Sequence, residues 1–323
     1  MSLKKAVELI RKSKRFLITA HTNAEGDALG AVLAFWRLAR ALGKEATIVI
    51  ADGIPYGYDF LPGIDRITKF NAKSGRVKFD CFVALDCSDL NRCGSVRQLN
   101  DKNKPVLNID HHISNDRFGD VNWVEPHFSS TCEMICKLYH EMRVPFNRDT
   151  ALLLYLGIMT DTGSFRYPNT TSETHQAVAE LLKYGLNVTE IHKKVYENIP
   201  LPDARILSKI LPALGEELGG KIIWFPIKRK LLRKNKFSFD LSDEVLGFAR
   251  AIKGVEVAVL FKENLSTRNE IRVNFRSQGK IDVNKIARYF GGGGHKTASG
   301  CTIKGSLDVV RRRVLRKVKE SFR

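Results

Sequence analysis

Cysteine is scarce in this sequence: six residues in 323, and no two of them form a Cys-x-x-Cys pair. Cys81, Cys87 and Cys93 are six apart, Cys132 and Cys136 four apart, and Cys301 is isolated. This spacing argues against a structural zinc site or a thioredoxin-like motif. It fits reduced thiols that fill apolar gaps. No uninterrupted apolar run approaches the ~20 residues that a membrane helix needs, so no membrane partner is expected. The first residues, Met1 to Lys5, read as the start of an amphipathic helix. They lack the apolar core and small-residue cleavage site of a signal peptide, and the expected location is cytoplasmic. There is no internal repeat and no low-complexity tract.

Acidic residues are also short, 35 against 53 lysines and arginines, for a net charge of +18. The shortfall is uneven. Residues 197–323 hold 27 basic and 13 acidic side chains, a net of +14, whereas residues 1–196 are only +4. A basic second half suits a polyanionic partner such as nucleic acid, although a solvated basic surface has the same composition.

With 43% hydrophobic and 27% charged residues the chain has the profile of a globular protein. Its length suits two domains. Short apolar runs alternate with helical patterns in the first half. Strands are expected at 15–20, 46–51, 79–85 and 105–109, and helices at 26–42, 129–142 and 149–159. Along residues 26–42, Leu29, Val32, Leu33, Trp36, Leu38 and Leu42 can share one broad face. This pattern predicts an α/β fold with a parallel sheet and helices on both faces. The second half predicts a smaller α/β domain with a mixed sheet. Its elements are a helix at 203–218, strands at 221–227, 255–261 and 270–275 (the last two antiparallel), a helix at 282–289, a glycine loop at 291–295 and a terminal basic helix at 307–321. The expected division is 1–190, a linker at 191–205, and 206–323.

Ligands in parallel sheets bind beyond the carboxyl ends of the strands. Polar residues accumulate at just those ends here. His21 follows the first strand, Asp86 the third, and Asp110, His111 and His112 the fourth, while Asp161 closes an apolar helix. One such residue is usually a cap or a turn. So many are better explained as ligands. His21, Glu25 and Asp27 alternate along one loop, and carboxylates mixed with imidazoles suit Mn²⁺, Mg²⁺ or related ions. Six or seven donors from four loops suggest two metals, which together can clamp both oxygens of a phosphoryl displacement.

The segments HTNAEGDALG (21–30), LDCSDLNRCG (85–94), NIDHH (108–112), MTDTGSFRY (159–167) and GGGGHKTASG (291–300) resemble the DHH phosphoesterase superfamily, and within it the bacterial nano-RNase/pAp-phosphatase group. The resemblance spans nearly the whole chain in the family's order. It implies hydrolysis of short oligoribonucleotides and removal of the 3′-phosphate from adenosine 3′,5′-bisphosphate (pAp). It also implies two divalent cations, Mn²⁺ foremost with Mg²⁺ or Co²⁺ as alternatives. By position, His21, Glu25 and Asp86 would bind one metal, and Asp27, Asp86, His111 and Asp161 the other, with Asp86 bridging. His112 would face the scissile phosphate, and Asp110 would orient a histidine. The family usually has Asp where this chain has Glu25, one methylene longer.

The same resemblance makes 1–190 a metal-binding catalytic domain and 206–323 a DHH-associated substrate domain. Arg272, Arg276, Gly292, Gly293, Gly294 and His295 would bind the nucleotide end, with Arg166 and Tyr167 further candidates near the cleft. Glycines let backbone N–H groups approach a phosphate, and arginine forks match its oxygens. The expected partners are short single-stranded RNA or DNA or a small nucleotide, and a homodimer is compatible with the sequence. The basic stretches Lys228–Lys236 and Arg311–Lys319 would suit a longer nucleic-acid tail or a solvated face equally. Other readings stay open: a cyclic or linear dinucleotide phosphodiesterase, a single-strand DNA exonuclease, and a nucleotide-binding protein with an impaired metal site.

Overall fold

The computed structural model describes residues 2–71, 74–101, 103–234 and 241–322. It divides into two compact units, Met1–Asn198 and Ile199–Arg323. Among the described residues no helix is long and apolar enough to cross a membrane.

The first unit contains, in chain order, α1 (Ser2–Lys12), β1 (Arg15–Thr19), α2 (Gly26–Ala41), β2 (Glu45–Ile50), β3 (Ile67–Lys69), β4 (Cys81–Leu85), β5 (Val106–Asp110), β6 (Val121–Val124), α3 (Thr131–Met142), α4 (Arg148–Asp161), α5 (Ser172–Leu182) and α6 (Val188–Tyr196). The strands form one sheet in the order β3-β2-β1-β4-β5-β6, and every pairing is parallel. β1, β4 and β5 are buried nearly throughout because both faces are covered. Phe16, Ile18, Val83 and Leu85 face α2, α3 and α4, while Leu17, Phe82 and Ala84 face the other way, toward Cys93 and Val96 of the 3₁₀ segment Leu90–Asn100.

The strand order reverses between β1 and β4, and their carboxyl ends therefore lie side by side at the sheet's switch point. β3 and β6 escape the sequence reading because they are edge strands of only three and four residues.

Helix α2 departs from the single apolar face expected of it. Leu29, Val32, Leu33 and Leu38 are buried, but so are Ala28, Ala31, Ala34 and Phe35. The cause is a third layer, in which α3 and α4 pack over α2, and a helix covered on all sides loses its polar stripe. Trp36 stays half-buried, and its indole N–H donates to the Ala46 carbonyl at 3.1 Å.

The second unit runs α7 (Leu201–Ile210), β7 (Gly215–Glu217), β8 (Ile222–Ile227), α8 (Arg229–Lys234), α9 (Ser242–Ala251), β9 (Val257–Glu263), β10 (Glu270–Ser277), α10 (Val283–Tyr289), β11 (Gly293–Gly294), β12 (Ala298–Lys304) and α11 (Leu307–Glu320). The sheet order is β11-β12-β10-β9-β8-β7. It is mixed, since β8 and β9 are parallel and the other pairs antiparallel. Helices α10 and α11 cover one face and α7 and α9 the other. The helix expected to reach residue 218 stops at Ile210. Pro212 follows in a 3₁₀ turn, and Gly215–Glu217 pairs as a strand with β8. Residues 191–205 comprise the end of α6, an irregular step and the start of α7.

Candidate metal centre

Five elements deliver side chains to the switch point of the first unit. β1 leads into His21, β4 into Asp86, β5 into Asp110, His111 and His112, the first turn of α2 supplies Asp27, and the last residue of α4 is Asp161. His21, Asp27, Asp86, Asp110, His111 and His112 are all buried, and Asp161 is half-buried. Asp86 is the hub. Its Oδ2 lies 3.3 Å from His21 Nε2, and its Oδ1 lies 3.7 Å from His111 Nε2 and 3.6 Å from His112 Nδ1. His111 Nε2 is also 3.3 Å from Asp161 Oδ2. Ligating atoms of Asp27, Asp86 and His111 lie within 4.8 Å of one another.

The backbone is held in unusual conformations around this cluster. Asp86 has φ 57°, and Gly163, Ser164 and Phe165, just after Asp161, have φ of 56°, 61° and 64°. Left-handed non-glycine residues carry a steric cost, and they collect where a site over-determines the chain.

The donor chemistry fits divalent cations. His21 Nδ1 is 2.8 Å from the Thr22 carbonyl and His111 Nδ1 is 3.2 Å from the Phe128 carbonyl. A carbonyl oxygen only accepts, so Nδ1 donates in each ring and Nε2 faces carboxylate oxygens. A ring nitrogen and a carboxylate at these distances share a cation, a proton or a metal ion. Backbone-anchored imidazoles beside carboxylates are how protein metal ligands are oriented.

The charges bear out this crowding. Burial, and then the Asp86 charge, push Asp27 up to about 6. Burial and the charges of Asp27, Asp86 and Glu25 drive Asp161 well above the usual carboxylate range. Burial works in the same direction on Asp86, but the hydrogen bond from His21 and the fields of His112, His21 and His111 outweigh it and leave that carboxyl low. A pair stands slightly apart, with His112 Nδ1 2.7 Å from Asp110 Oδ1. Burial opposes the charged imidazole, yet the Asp110 charge and hydrogen bond raise His112 overall. Asp110 is lowered in turn, against its own burial, chiefly by His112.

Three supports were not legible in the sequence. The backbone N–H groups of Thr131 and Cys132, at the start of α3, donate to both oxygens of Asp27 at 2.7 and 2.8 Å. The Thr131 hydroxyl donates to Asp86 Oδ1 at 3.0 Å. Asn115 Nδ2 donates to Asp110 Oδ2 at 2.6 Å. Gly157 permits this packing, because a Cβ there would lie 2.2 Å from Cys132 Sγ and 2.7 Å from Asp27 Oδ1.

Glu25 is placed differently from the other sequence candidates. It is exposed, at the N-cap position of α2, and makes no cap hydrogen bond from its side chain. Its charge nevertheless reaches Asp161. Arg166 is exposed, and its Nε donates to the Gly163 carbonyl at 2.7 Å; Tyr167 is half-buried with its ring against Gly163. All six cysteines are free and buried, and burial pushes Cys81 up to about 12.

In the second unit the glycine segment, expected as a loop, is a hairpin. Gly293 and Gly294 pair with Gly300 and Ser299, and the His295 N–H donates to the Ala298 carbonyl at 2.7 Å. Glycine is required by close approach, since a Cβ on Gly292 would lie 2.1 Å from the Gly300 carbonyl oxygen. The Arg272 guanidinium lies over Gly300, the register partner of Gly293, so the structure brings Arg272 to the hairpin. Arg276 points to the same side of β10, but its Nη2 is tied to Asp243 at 2.6 Å. Of the basic stretch Lys228–Lys236, Asn235 and Lys236 lie outside the described residues, and Arg229 is engaged with the Asn264 and Thr267 carbonyls.

Residues 15–158 match the DHH family, N-terminal domain, and residues 219–322 match the DHHA1 domain. A Thermus thermophilus protein named bifunctional oligoribonuclease and PAP phosphatase NrnA is 33% identical over 94% of this chain and 89% of its own length. The chain belongs to the DHH family. A Bacillus subtilis DHH relative with the same NrnA name is 29% identical, over 92% of each chain. The fold of this DHH protein is also that of a solved exopolyphosphatase-related protein from Bacteroides fragilis. The TM-score is 0.87, with 22% identity, over 99% of this chain and 96% of the other.

Proposed function

We propose that this DHH protein is a two-metal phosphoesterase that cleaves short oligonucleotides to mononucleotides and removes the 3′-phosphate of pAp. The observation that carries the reading is the pair of imidazoles whose Nε2 atoms face the Asp86 and Asp161 carboxylates. The names of its relatives supply the substrate class. His21, Asp27, Asp86, His111 and Asp161 would hold the cations, with Glu25 completing the set from the rim. Imidazole and carboxylate together favour Mn²⁺ over Mg²⁺, with Co²⁺ also acceptable. When bound, two such cations supply Lewis acidity toward a phosphoryl oxygen.

The chain's own groups do the rest. Asp110 favours the charged form of His112 and fixes its ring through Nδ1, leaving Nε2 to donate a proton to the departing oxygen. Residues 1–190 form the catalytic domain and 206–323 the substrate domain, joined through 191–205. Arg272, the backbone of Gly292, Gly293 and Gly294, and His295 grip the nucleotide, with Arg276 and Arg166 contributing charge.

The test is a panel of pAp, the dinucleotide pApA, cyclic di-AMP and short single-stranded RNAs, each with Mn²⁺ and with chelator. Chelator-sensitive hydrolysis of pAp and the shortest RNAs is expected. Binding of pAp without hydrolysis of anything on the panel would leave a nucleotide-binding protein in place of an enzyme.

Thr131 gives a finer test of the cluster. Thr131→Val keeps the shape and removes the hydroxyl that holds Asp86. Affinity for Mn²⁺ is expected to fall by about 10- to 100-fold, and Thr131→Ser should restore it. Calorimetric titration reads both; equal affinities in all three proteins would mean the hydroxyl does not position the carboxylate.

A further inference from the structure

Helix α11 carries charge for which the proposed chemistry has no use. It holds Arg311, Arg312, Arg313, Arg316, Lys317 and Lys319 against only Asp308 and Glu320. Val310, Val314 and Val318 are buried under the sheet, so the opposite side of the helix meets solvent. Three of the cations are satisfied: Arg311 by Asp308 at 3.0 Å, Lys317 by Glu320 at 2.9 Å and Lys319 by Glu217 at 3.1 Å. Arg312, Arg313 and Arg316 are exposed and form no ion pair among the described residues. Their spacing puts them on adjoining turns of one side.

Aromatic rings lie among these cations. Tyr289, the last residue of α10, is 66% exposed. Lys317 Nζ sits 4.5 Å from the centroid of its ring. Phe290 meets it edge-on at 5.0 Å, and the Arg313 guanidinium lies 5.9 Å from the Phe290 ring. At the other end of the patch, Arg316 lines a hollow of about 770 Å³ with Leu218, Lys221, Lys319, Glu320 and Phe322. The end of α10 and the outer side of α11 are thus one basic surface with an aromatic platform.

We propose that this surface binds single-stranded nucleic acid and holds the nucleotides of a substrate longer than a dinucleotide. Phosphates lie on Arg312, Arg313 and Arg316, and a base stacks on Tyr289. The proposal rests on the hydrolase reading above for what becomes of the bound strand. Cations beside an open ring are the means by which proteins hold single strands without regard to sequence. The surface is separate from Arg272 and Arg276: Val273 and Phe275 of β10 point into the core beneath α10 and α11, and the arginines alternate to the other face of the sheet. It also continues from the glycine hairpin, since Tyr289 and Phe290 immediately precede Gly291. A lipid surface fits less well, because a helix that lies in a bilayer needs an apolar face to insert. The apolar residues of α11 are in the core apart from Val309.

The experiment uses the full chain with chelator present, so that nothing is cleaved. Binding of a fluorescein-labelled single-stranded RNA of about twelve nucleotides is followed by anisotropy between roughly 50 and 200 mM salt. The variants are the triple Arg312→Gln/Arg313→Gln/Arg316→Gln and, separately, Tyr289→Ala. The triple variant is expected to bind at least about tenfold more weakly, with a salt dependence shallower by about two logarithmic units per decade. Tyr289→Ala should weaken binding by about fivefold or more with the salt slope unchanged. Both should hydrolyse pAp and a dinucleotide with Mn²⁺ like the parent, which also reports an intact fold. Unchanged RNA affinity in the triple variant overturns the proposal. So does parent protein that ignores RNA but binds phosphatidylserine vesicles through the same arginines. Parent protein that binds RNA through this surface yet cleaves nothing upholds the surface and sinks the hydrolase reading instead.

Discussion

Asp86→Asn is expected to abolish metal-dependent hydrolysis while leaving the fold in place. The substitution is chosen for the backbone. Asp86 has φ 57°, a left-handed conformation that asparagine tolerates as well as aspartate and that alanine resists. The side-chain carbonyl of asparagine can still accept from the Thr131 hydroxyl, so local hydrogen bonding survives. The charge does not survive, and among the described residues it is the one carboxylate paired with His21, His111 and His112 alike. If Asp86 is a ligand as proposed, its loss removes several kcal/mol of charge stabilisation, about a thousandfold or more in rate. Mn²⁺ should raise the melting temperature of the parent protein, because a ligand that binds only the folded state stabilises it by mass action. That rise should be missing in the variant. Full activity, or an undiminished thermal response to Mn²⁺, would remove Asp86 from the centre of the site.

His112→Ala is expected to separate substrates by their leaving groups. His112 is held at 2.7 Å by Asp110 and raised by it, which favours the protonated ring that a departing ribose or nucleoside oxygen requires. Loss of such an acid costs about 10²- to 10⁴-fold on pAp and dinucleotides. An activated aryl phosphodiester leaves without help, and there the loss should be about tenfold or less. The comparison of kcat/KM on the two substrate types decides it. Equal losses would assign His112 to stabilising charge on the phosphate.

Much of the site could be read from the sequence because most of its side chains end an apolar run. His21, Asp86 and Asp110–His112 stand where a buried strand must stop, and Asp161 where a buried helix stops. Their convergence could not be read that way. It depends on β1 lying beside β4, and strand order is a property of tertiary packing that runs of apolar residues do not encode. Thr131 was hidden for another reason. Ser130 and Glu133 form an ordinary helix cap, which explains the segment locally and conceals that α3 starts against Asp27. The basic helix at 307–321 was legible as charge, but only the fold sets Tyr289 beside Lys317. Glu25 shows the reverse: its spacing from His21 and Asp27 suggests equal partners, whereas the turn into α2 buries Asp27 and leaves Glu25 in solvent.

The donors stretch from His21 to Asp161 and arrive on separate elements. On the proposed assignment, a ribosome must release everything through α4 before the emerging chain has a place for an ion, and a fragment ending earlier would not retain one. In the finished protein, retention of an ion would then report on the cooperativity of the first unit as a whole.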